Sequence, residues 1–181
     1  MQKTIAFEDI LAVFANYSFQ KASMDDLAQA AGVSRQTLYN RFKTKQAVLD
    51  WAVTGFVEDR TGRLFTDLKQ SDQSVATRLL HFYCEWMGQL VPVLHNTPHG
   101  SEIFEIGIES LEREGVSTHS EYEHAVAAFL VENDIYRDLS EASETAFLLT
   151  MGAKGILFKF NTVEEFEAGM KRIIRTALPD C

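Results

Sequence analysis

Polar side chains suited to reading nucleic-acid bases cluster between residues 35 and 40. Ser34 is a good helix N-cap, and the apolar spacing predicts a short helix whose Leu38 and Phe42 point inward. The helix then exposes only hydrogen-bonding side chains, namely Arg35, Gln36, Thr37 and Asn40.

The chemistry of these side chains matches the edges of DNA bases. Arg35 suits guanine, Gln36 suits adenine, and Thr37 suits a thymine methyl group or a phosphate. The alternative is that they are ordinary exposed residues, since most protein–DNA hydrogen bonds go to phosphate and sugar.

A second anion-binding signal lies at residues 44 and 45. Thr44 is predicted to cap a long helix that runs to about residue 70, which places Lys45 in the first turn. The helix macrodipole disfavours a cation there, which suggests that Lys45 binds an anion such as a DNA phosphate. The alternative is that Lys45 is a tolerated surface lysine.

Two further helices must hold the polar helix in place. A stripe of Phe7, Ile10, Leu11 and Phe14 predicts a first helix that ends near Tyr17. Ser23 and Asp26 form a capping-box pattern at the start of a second helix, which Gly32 ends in a left-handed conformation. A tight turn between the second and third helices is the arrangement that major-groove reading requires.

The charge is divided unevenly along the chain of 181 residues, whose net charge is −9. Residues 1–50 contain six Lys or Arg and five Asp or Glu, for +1, whereas the remainder contains 11 and 21, for −10. Residues 33–45 hold four basic side chains and no acidic one, which is a local cationic patch.

The remaining composition predicts an all-α protein of the cytoplasm. We find no strand-like alternation, no apolar run long enough to span a membrane, no signal-peptide pattern at the start, and only two cysteines, Cys84 and Cys181.

The stretch from Ser23 to Lys45, SMDDLAQAAGVSRQTLYNRFKTK, closely resembles the DNA-binding head of the TetR/AcrR family of regulators. The resemblance implies a homodimer that binds double-stranded operator DNA, represses promoters and leaves DNA when a small molecule enters the body. By position, it implies base contacts from Arg35, Gln36, Thr37 and Asn40, and phosphate contacts from Ser23, Tyr39, Thr44 and Lys45.

The sequence departs from the family pattern in two places. Ser18 stands where family members often have glycine before the aromatic Phe19, so the loop after the first helix is open to a different shape. The N-terminal arm is short and contains only Lys3 as a cation, which argues against extra minor-groove contacts.

Aromatic residues of the body suggest an effector pocket. Pro92 is expected to kink or end an apolar helix, and Pro98-His99-Gly100 marks a loop before a helix over about residues 101–114. The candidate pocket wall consists of His81, Phe82, Trp86, Met87 and Phe104, with simple core packing as the alternative. An apolar pocket in an acidic domain favours an apolar effector that is neutral or cationic.

Metal and enzyme chemistry are disfavoured. His81 with Glu85 and His119 with Glu123 have i, i+4 spacing, and His124 lies nearby, but no recognised Cys or His ligand pair accompanies them. No phosphate loop, nucleophile elbow or zinc-protease motif occurs. We therefore expect no cofactor, no metal and no catalysis.

The last two helices have the pattern of a self-association surface. The first, over residues 145–160, is apolar on most of its circumference. The second begins after Thr162, which forms a capping pattern with Glu165, and Pro179 ends it. We expect them to pair across a two-fold axis rather than form only an intrachain core, through Met151, Phe158, Phe166, Met170, Ile173 and Ile174.

The sequence thus predicts a helix-turn-helix DNA-binding domain over residues 1–46 and a helical ligand-binding and dimerisation domain over residues 47–181. The predicted function is a sequence-specific DNA-binding regulator, a repressor released by a small effector. The alternative is a helix-turn-helix architectural or cell-division factor whose body contacts proteins and binds no effector.

Overall fold

A computed structural model of the chain describes residues 6–69, 72–116 and 118–178. Every regular element within these ranges is helical, which confirms the predicted all-α class. The helices are α1 Phe7–Lys21, α2 Met24–Ala31, α3 Arg35–Phe42, α4 Lys45–Lys69, α5 Val75–Trp86, α6 Val91–Asn96, α7 Gly100–Arg113, α8 Thr118–Glu132, α9 Leu139–Lys159 and α10 Val163–Ala177. Lys3, Pro179 and Cys181 lie outside the described residues.

The helices divide into two compact units. The head unit comprises the described part of residues 1–59 together with residues 93–116, and the body unit comprises residues 60–92 and the described part of 117–181. Helix α4 belongs to both units, because the division falls between its Asp59 and Arg60. The functional boundary predicted at residue 46 stays a prediction.

The head unit is built around side chains that the predicted apolar spacing identifies. Ile10, Phe14, Leu27 and Leu38 are each at most 1% exposed and belong to one core. Ile103 of α7 completes this core from a distant part of the sequence. The backbone N–H of His99 also donates a hydrogen bond to the carbonyl of Ala15, over 3.0 Å.

A three-donor cluster fixes α7 to α4 within the head unit. The Asp50 Oδ1 atom accepts hydrogen bonds from Ser110 Oγ at 2.5 Å, Arg113 Nη2 at 2.8 Å and Gln46 Nε2 at 2.9 Å. Partial burial acts to raise the pKa of Asp50, but the three hydrogen bonds and the Arg113 charge outweigh it and the pKa is lowered. The carboxylate is therefore held in its charged form.

The body unit contains an aromatic cluster. The Trp86 ring lies edge-on to Tyr122 with the ring centroids 4.4 Å apart, and Phe82 lies within 6.0 Å of both Tyr122 and Tyr83. Tyr83 is fully buried and its hydroxyl lies 3.1 Å from the hydroxyl of Thr150, while burial raises the pKa of Tyr83. Helices α9 and α10 pack on each other, and α10 also packs on α5.

Pro92 begins a helix instead of ending one. Helix α5 ends at Trp86, a 3-10 turn covers Gly88–Leu90, and Pro92 is the second residue of α6. The first turn of a helix tolerates proline because its N–H groups have no partner within the helix. The expected break is present, but it precedes the proline.

Candidate nucleic-acid interface

The turn between α2 and α3 has the geometry that the sequence predicts. Ser23 caps α2, and Gly32 ends it with φ 66° and ψ 30°, in the left-handed region. Ser34 then caps α3 by accepting a hydrogen bond from the Thr37 N–H at 3.1 Å. The turn brings the Arg35 side chain, at the start of α3, into contact with Asp25 in the first turn of α2.

The predicted reading face of α3 is exposed. Leu38 is 1% exposed and anchors the helix in the core of the head unit, while all four predicted base-reading side chains lie outside, namely Arg35, Gln36, Thr37 and Asn40. Arg35 Nη1 donates to Asp25 Oδ2 at 2.9 Å, and Gln36 Nε2 donates to Asn40 Oδ1 at 2.7 Å. The polar groups on this face are thus paired with one another.

The predicted phosphate-binding residues differ in how many donors they have available. Ser23 donates both its hydroxyl and its backbone N–H to Asp26 Oδ2, at 2.6 and 2.9 Å, and these bonds lower the pKa of Asp26. Both donors of Ser23 therefore serve the capping box, which has to open before Ser23 can donate to a phosphate. Tyr39 is 49% exposed, and Thr44 accepts the Ala47 N–H at 3.2 Å as the cap of α4.

Lys45 has a structural role that the sequence did not indicate. Its Nζ donates to the carbonyls of Gln20 and Ala22 at 2.8 and 3.1 Å, and it lies 4.9 Å from the centroid of the Phe19 ring. These carbonyls lie at the C-terminal end of α1, where a cation is favourable. The contact offsets the unfavourable position of Lys45 in the first turn of α4.

Two exposed cations at the C-terminal end of α3, Arg41 and Lys43, belong to the cationic patch but are not among the predicted site residues. The Arg41 guanidinium lies 5.0 Å from the ring centroids of both Phe42 and Trp51, and Lys43 Nζ lies 5.7 Å from that of Tyr39. Aromatic contacts hold these side chains in place without neutralising their charge. The acid-free stretch over residues 33–45 was the sequence signal for them.

The predicted pocket residues do not share one environment. Phe82 and Met87 are buried in the body unit, and Trp86 belongs to its aromatic cluster. His81 is exposed, with Nε2 3.8 Å from an oxygen of Asp67. Phe104 belongs to the head unit. The first three are therefore explained by packing, and the pocket stays a prediction.

The predicted dimer residues divide into two groups. Phe166, Met170 and Ile174 are at most 2% exposed within a single chain, so they belong to an intrachain core and their assignment to the dimer interface is corrected. Helices α5 and α9, which pack on α10, cover them. Phe158 is 58% exposed, and Met151 and Ile173 are partly buried.

Among the helices of the described ranges, none combines the length and the hydropathy that a membrane span requires. The same ranges hold no cluster of three or more His, Cys, Asp or Glu side chains placed to bind a metal ion. The side chain of His119 lies outside the described residues.

The arrangement defines a class of protein, the helix-turn-helix DNA-binding regulators. Residues 8–51 match the family model described as bacterial regulatory proteins, tetR family. Among curated proteins, none has a matching sequence.

Solved structures share the fold over nearly the whole chain. A transcriptional regulator from Rhodococcus sp. Rha1 is 20% identical with a TM-score of 0.67, covering 94% of this chain and 92% of its own. A protein assigned to the TetR family from a Rhodococcus species is 20% identical with a TM-score of 0.69, covering 98% of each chain. A single-substitution variant of TetR from Acinetobacter baumannii AYE, solved in complex with minocycline, is 14% identical with a TM-score of 0.52, covering 94% and 93%.

The family match in the head and the fold of the whole chain confirm the resemblance seen in the sequence. Residues 8–51 thus match the helix-turn-helix head of the tetR family of bacterial regulatory proteins, and the chain as a whole has the fold of the solved regulators.

Proposed function

We propose that the protein binds a specific operator duplex by placing α3 in the major groove, and that it acts as a repressor without catalysing a reaction. The observation that carries this proposal is the division of α3, whose Leu38 is buried while its base-reading side chains are exposed. Capping by Ser34 holds the first turn of α3, which contains Arg35 and Gln36.

Selection from a random pool of DNA duplexes tests the proposal. A preferred sequence should emerge, and its affinity should exceed that of a scrambled duplex by roughly 10³-fold or more. Arg35→Ala and Gln36→Ala should each reduce operator affinity by roughly 1–3 kcal/mol and weaken scrambled-duplex binding less.

Gln29→Ala provides a matched control for Gln36→Ala, because Gln29 is an exposed glutamine of the neighbouring helix α2. Its operator affinity should equal that of the wild type. Equal losses on operator and scrambled duplex for Arg35→Ala would remove its role in base reading. Failure to select any duplex would contradict the proposed function itself.

We further propose that two copies associate through α9. Phe147, Leu148 and Phe158 are 48%, 59% and 58% exposed, and the small Gly155 lies between the last two. Helical spacing places Leu148, Met151, Gly155 and Phe158 along one side of the helix. A contiguous exposed apolar stripe is typical of a protein–protein interface, and a two-fold pairing of this stripe would give a symmetric DNA reader.

Leu148→Glu should convert the dimer to a monomer by placing an unpaired charge in the apolar interface. Leu139→Glu is the matched control, because Leu139 is also exposed on α9, at 47%, but lies nine residues earlier and hence on the opposite side of the helix. Light scattering should report a monomer only for the first variant. A dimer for both variants would exclude this surface.

We also propose a small-molecule effector that binds the body unit. The fold neighbour solved with minocycline supports this proposal, because it shows a small ligand in a protein of this fold. The net charge of −10 outside residues 1–50 favours an apolar ligand that is neutral or cationic. If the effector binds more tightly to a body conformation that has low affinity for DNA, it increases the population of that conformation and reduces the operator-bound fraction.

Trp86 fluorescence provides the test, in a Trp51→Phe background that leaves Trp86 as the sole tryptophan. Ligands found in a screen of hydrophobic compounds should bind more weakly when operator is present, by the same factor as they weaken operator binding. Equal ligand affinity with and without operator would contradict the release mechanism. If the screen finds no ligand, the architectural alternative is favoured.

A further inference from the structure

An ion pair joins the first turn of α2 to the first residue of α3. Asp25 Oδ2 accepts a hydrogen bond from Arg35 Nη1 at 2.9 Å, and the side chains are 61% and 67% exposed. Because both groups face solvent, this pair contributes little to the stability of the fold. Its position on the α3 reading face suggests a role in recognition.

The geometry leaves most of the Arg35 guanidinium available. A guanidinium has five N–H donors, and Asp25 accepts one of them, on Nη1. The Nε and Nη2 donors remain, and together they form one complete edge of the fork. A single edge is sufficient for a bidentate hydrogen bond to the O6 and N7 atoms of guanine.

From this geometry, we propose that Asp25 is a specificity-determining positioning residue, which orients Arg35 toward guanine and keeps it from DNA phosphates. The inference rests on the proposed DNA-binding function. Holding one guanidinium nitrogen reduces the conformational entropy that Arg35 loses when it binds a base. The Asp25 carboxylate also repels a phosphate that approaches the same guanidinium.

Loss of Asp25 therefore has opposite consequences on specific and non-specific DNA. Without its partner, Arg35 is free to bind phosphates, which are present in every sequence. Affinity for arbitrary duplexes then rises, whereas the bond to guanine loses its orientation. Discrimination between operator and scrambled DNA falls for both reasons.

The experiment compares Asp25→Asn with Asp9→Asn in the full chain, on the selected operator and on a scrambled duplex. Asp9 is also an exposed acid in the first turn of a head helix, α1, so both variants change the net charge and the helix-end charge equally. Asp25→Asn should reduce discrimination by roughly five- to tenfold, within the range that one bidentate contact supplies. Asp9→Asn should leave discrimination unchanged.

Salt dependence provides a second measurement. On scrambled DNA, Asp25→Asn should steepen the slope of log affinity against log salt by about 0.9, the value for one added phosphate contact. In an Arg35→Ala background, Asp25→Asn should change the salt slope and the discrimination no more than Asp9→Asn does. The reason is that the Arg35 side chain, which loss of Asp25 would release, is absent from that background.

Two results would overturn the inference while leaving the proposed function intact. One is equal discrimination for Asp25→Asn and the wild type. The other is an effect of Asp25→Asn that persists in full without Arg35, which would make it a general charge effect. If the wild type selects no duplex at all, the proposed function fails instead. Circular dichroism melting should show that both Asn variants fold like the wild type.

Discussion

Ser18 has a backbone conformation that glycine adopts more readily than any other residue. Its φ is 70° and its ψ is 160°, in a region populated almost solely by glycine. The side chain is buried at 6% exposure, and its Oγ accepts the Lys21 N–H at 3.3 Å. Replacing Ser18 by glycine should therefore relieve strain, at the loss of one long hydrogen bond.

The comparison of Ser18→Gly with Ser18→Ala isolates the strain, since both variants lack the hydroxyl. The strain of a Cβ in this region is about 2 kcal/mol. Glycine loses about 0.5–1 kcal/mol more conformational entropy than alanine on folding. The glycine variant should therefore have a free energy of unfolding about 1 kcal/mol higher than that of the alanine variant. This order is the reverse of that in a regular helix.

Urea unfolding followed by Trp51 fluorescence measures this difference in the head unit, in a Trp86→Phe background. Trp51 packs against Phe7 and Phe42 with ring centroids 4.9 and 5.1 Å away, so its emission reports on that unit. Ala12→Gly, at an exposed position of α1, should show the ordinary loss of about 0.5–1 kcal/mol. A Ser18→Gly variant less stable than Ser18→Ala would refute the strain argument.

Further predictions concern three residues of the head unit, Asp50, Lys45 and Gly100. Asp50→Ala should lower its stability by about 2 kcal/mol, measured by urea unfolding, because the buried Ser110 hydroxyl loses its acceptor. Folding lowers the pKa of Asp50, so the stabilisation that depends on its charge is complete above the unfolded pKa near 3.8. That stabilisation is lost as the pH falls through the lower pKa of the folded state. Asp50→Asn cannot titrate, so its free energy of unfolding should depend less on pH below pH 4 than that of the wild type. Lys45→Met should lower the melting temperature as well as DNA affinity, because two carbonyls at the end of α1 lose their donor; a change in affinity alone would assign Lys45 to phosphate binding only. Gly100→Ala should destabilise by roughly 1–3 kcal/mol in thermal unfolding, because an added Cβ would lie 1.9 Å from the Val93 carbonyl oxygen.

The helix-turn-helix was predictable because its signals are local. Ser23, Ser34 and Gly32 act on atoms within four residues, and the sequence shows such partners directly. The cap of α10 by Thr162 and the start of α4 after Thr44 follow for the same reason. Local chemistry therefore determines where these helices begin and end.

Contacts between distant residues could not be predicted in this way. An amphipathic pattern shows that Phe166, Met170 and Ile174 are buried, but it does not show which helix they pack against. In the structure they pack within their own chain. The interaction of Lys45 with the end of α1 spans more than twenty residues. In each case the chemistry of the side chain was clear while the identity of its partner depended on the tertiary fold.

The membership of α7 in the head unit bears on how the protein folds during synthesis. Ile103 completes the head core, and Ser110 and Arg113 bind Asp50 at sequence separations of 60 and 63 residues. Helices α1–α3 emerge from the ribosome early but lack these contacts until residue 113 has been made. At about 5–20 residues per second, translation of the segment from residue 50 to residue 113 takes several seconds. Throughout that interval the nascent helix-turn-helix lacks part of its core, so the head unit completes its packing only after well over half of the chain has been made.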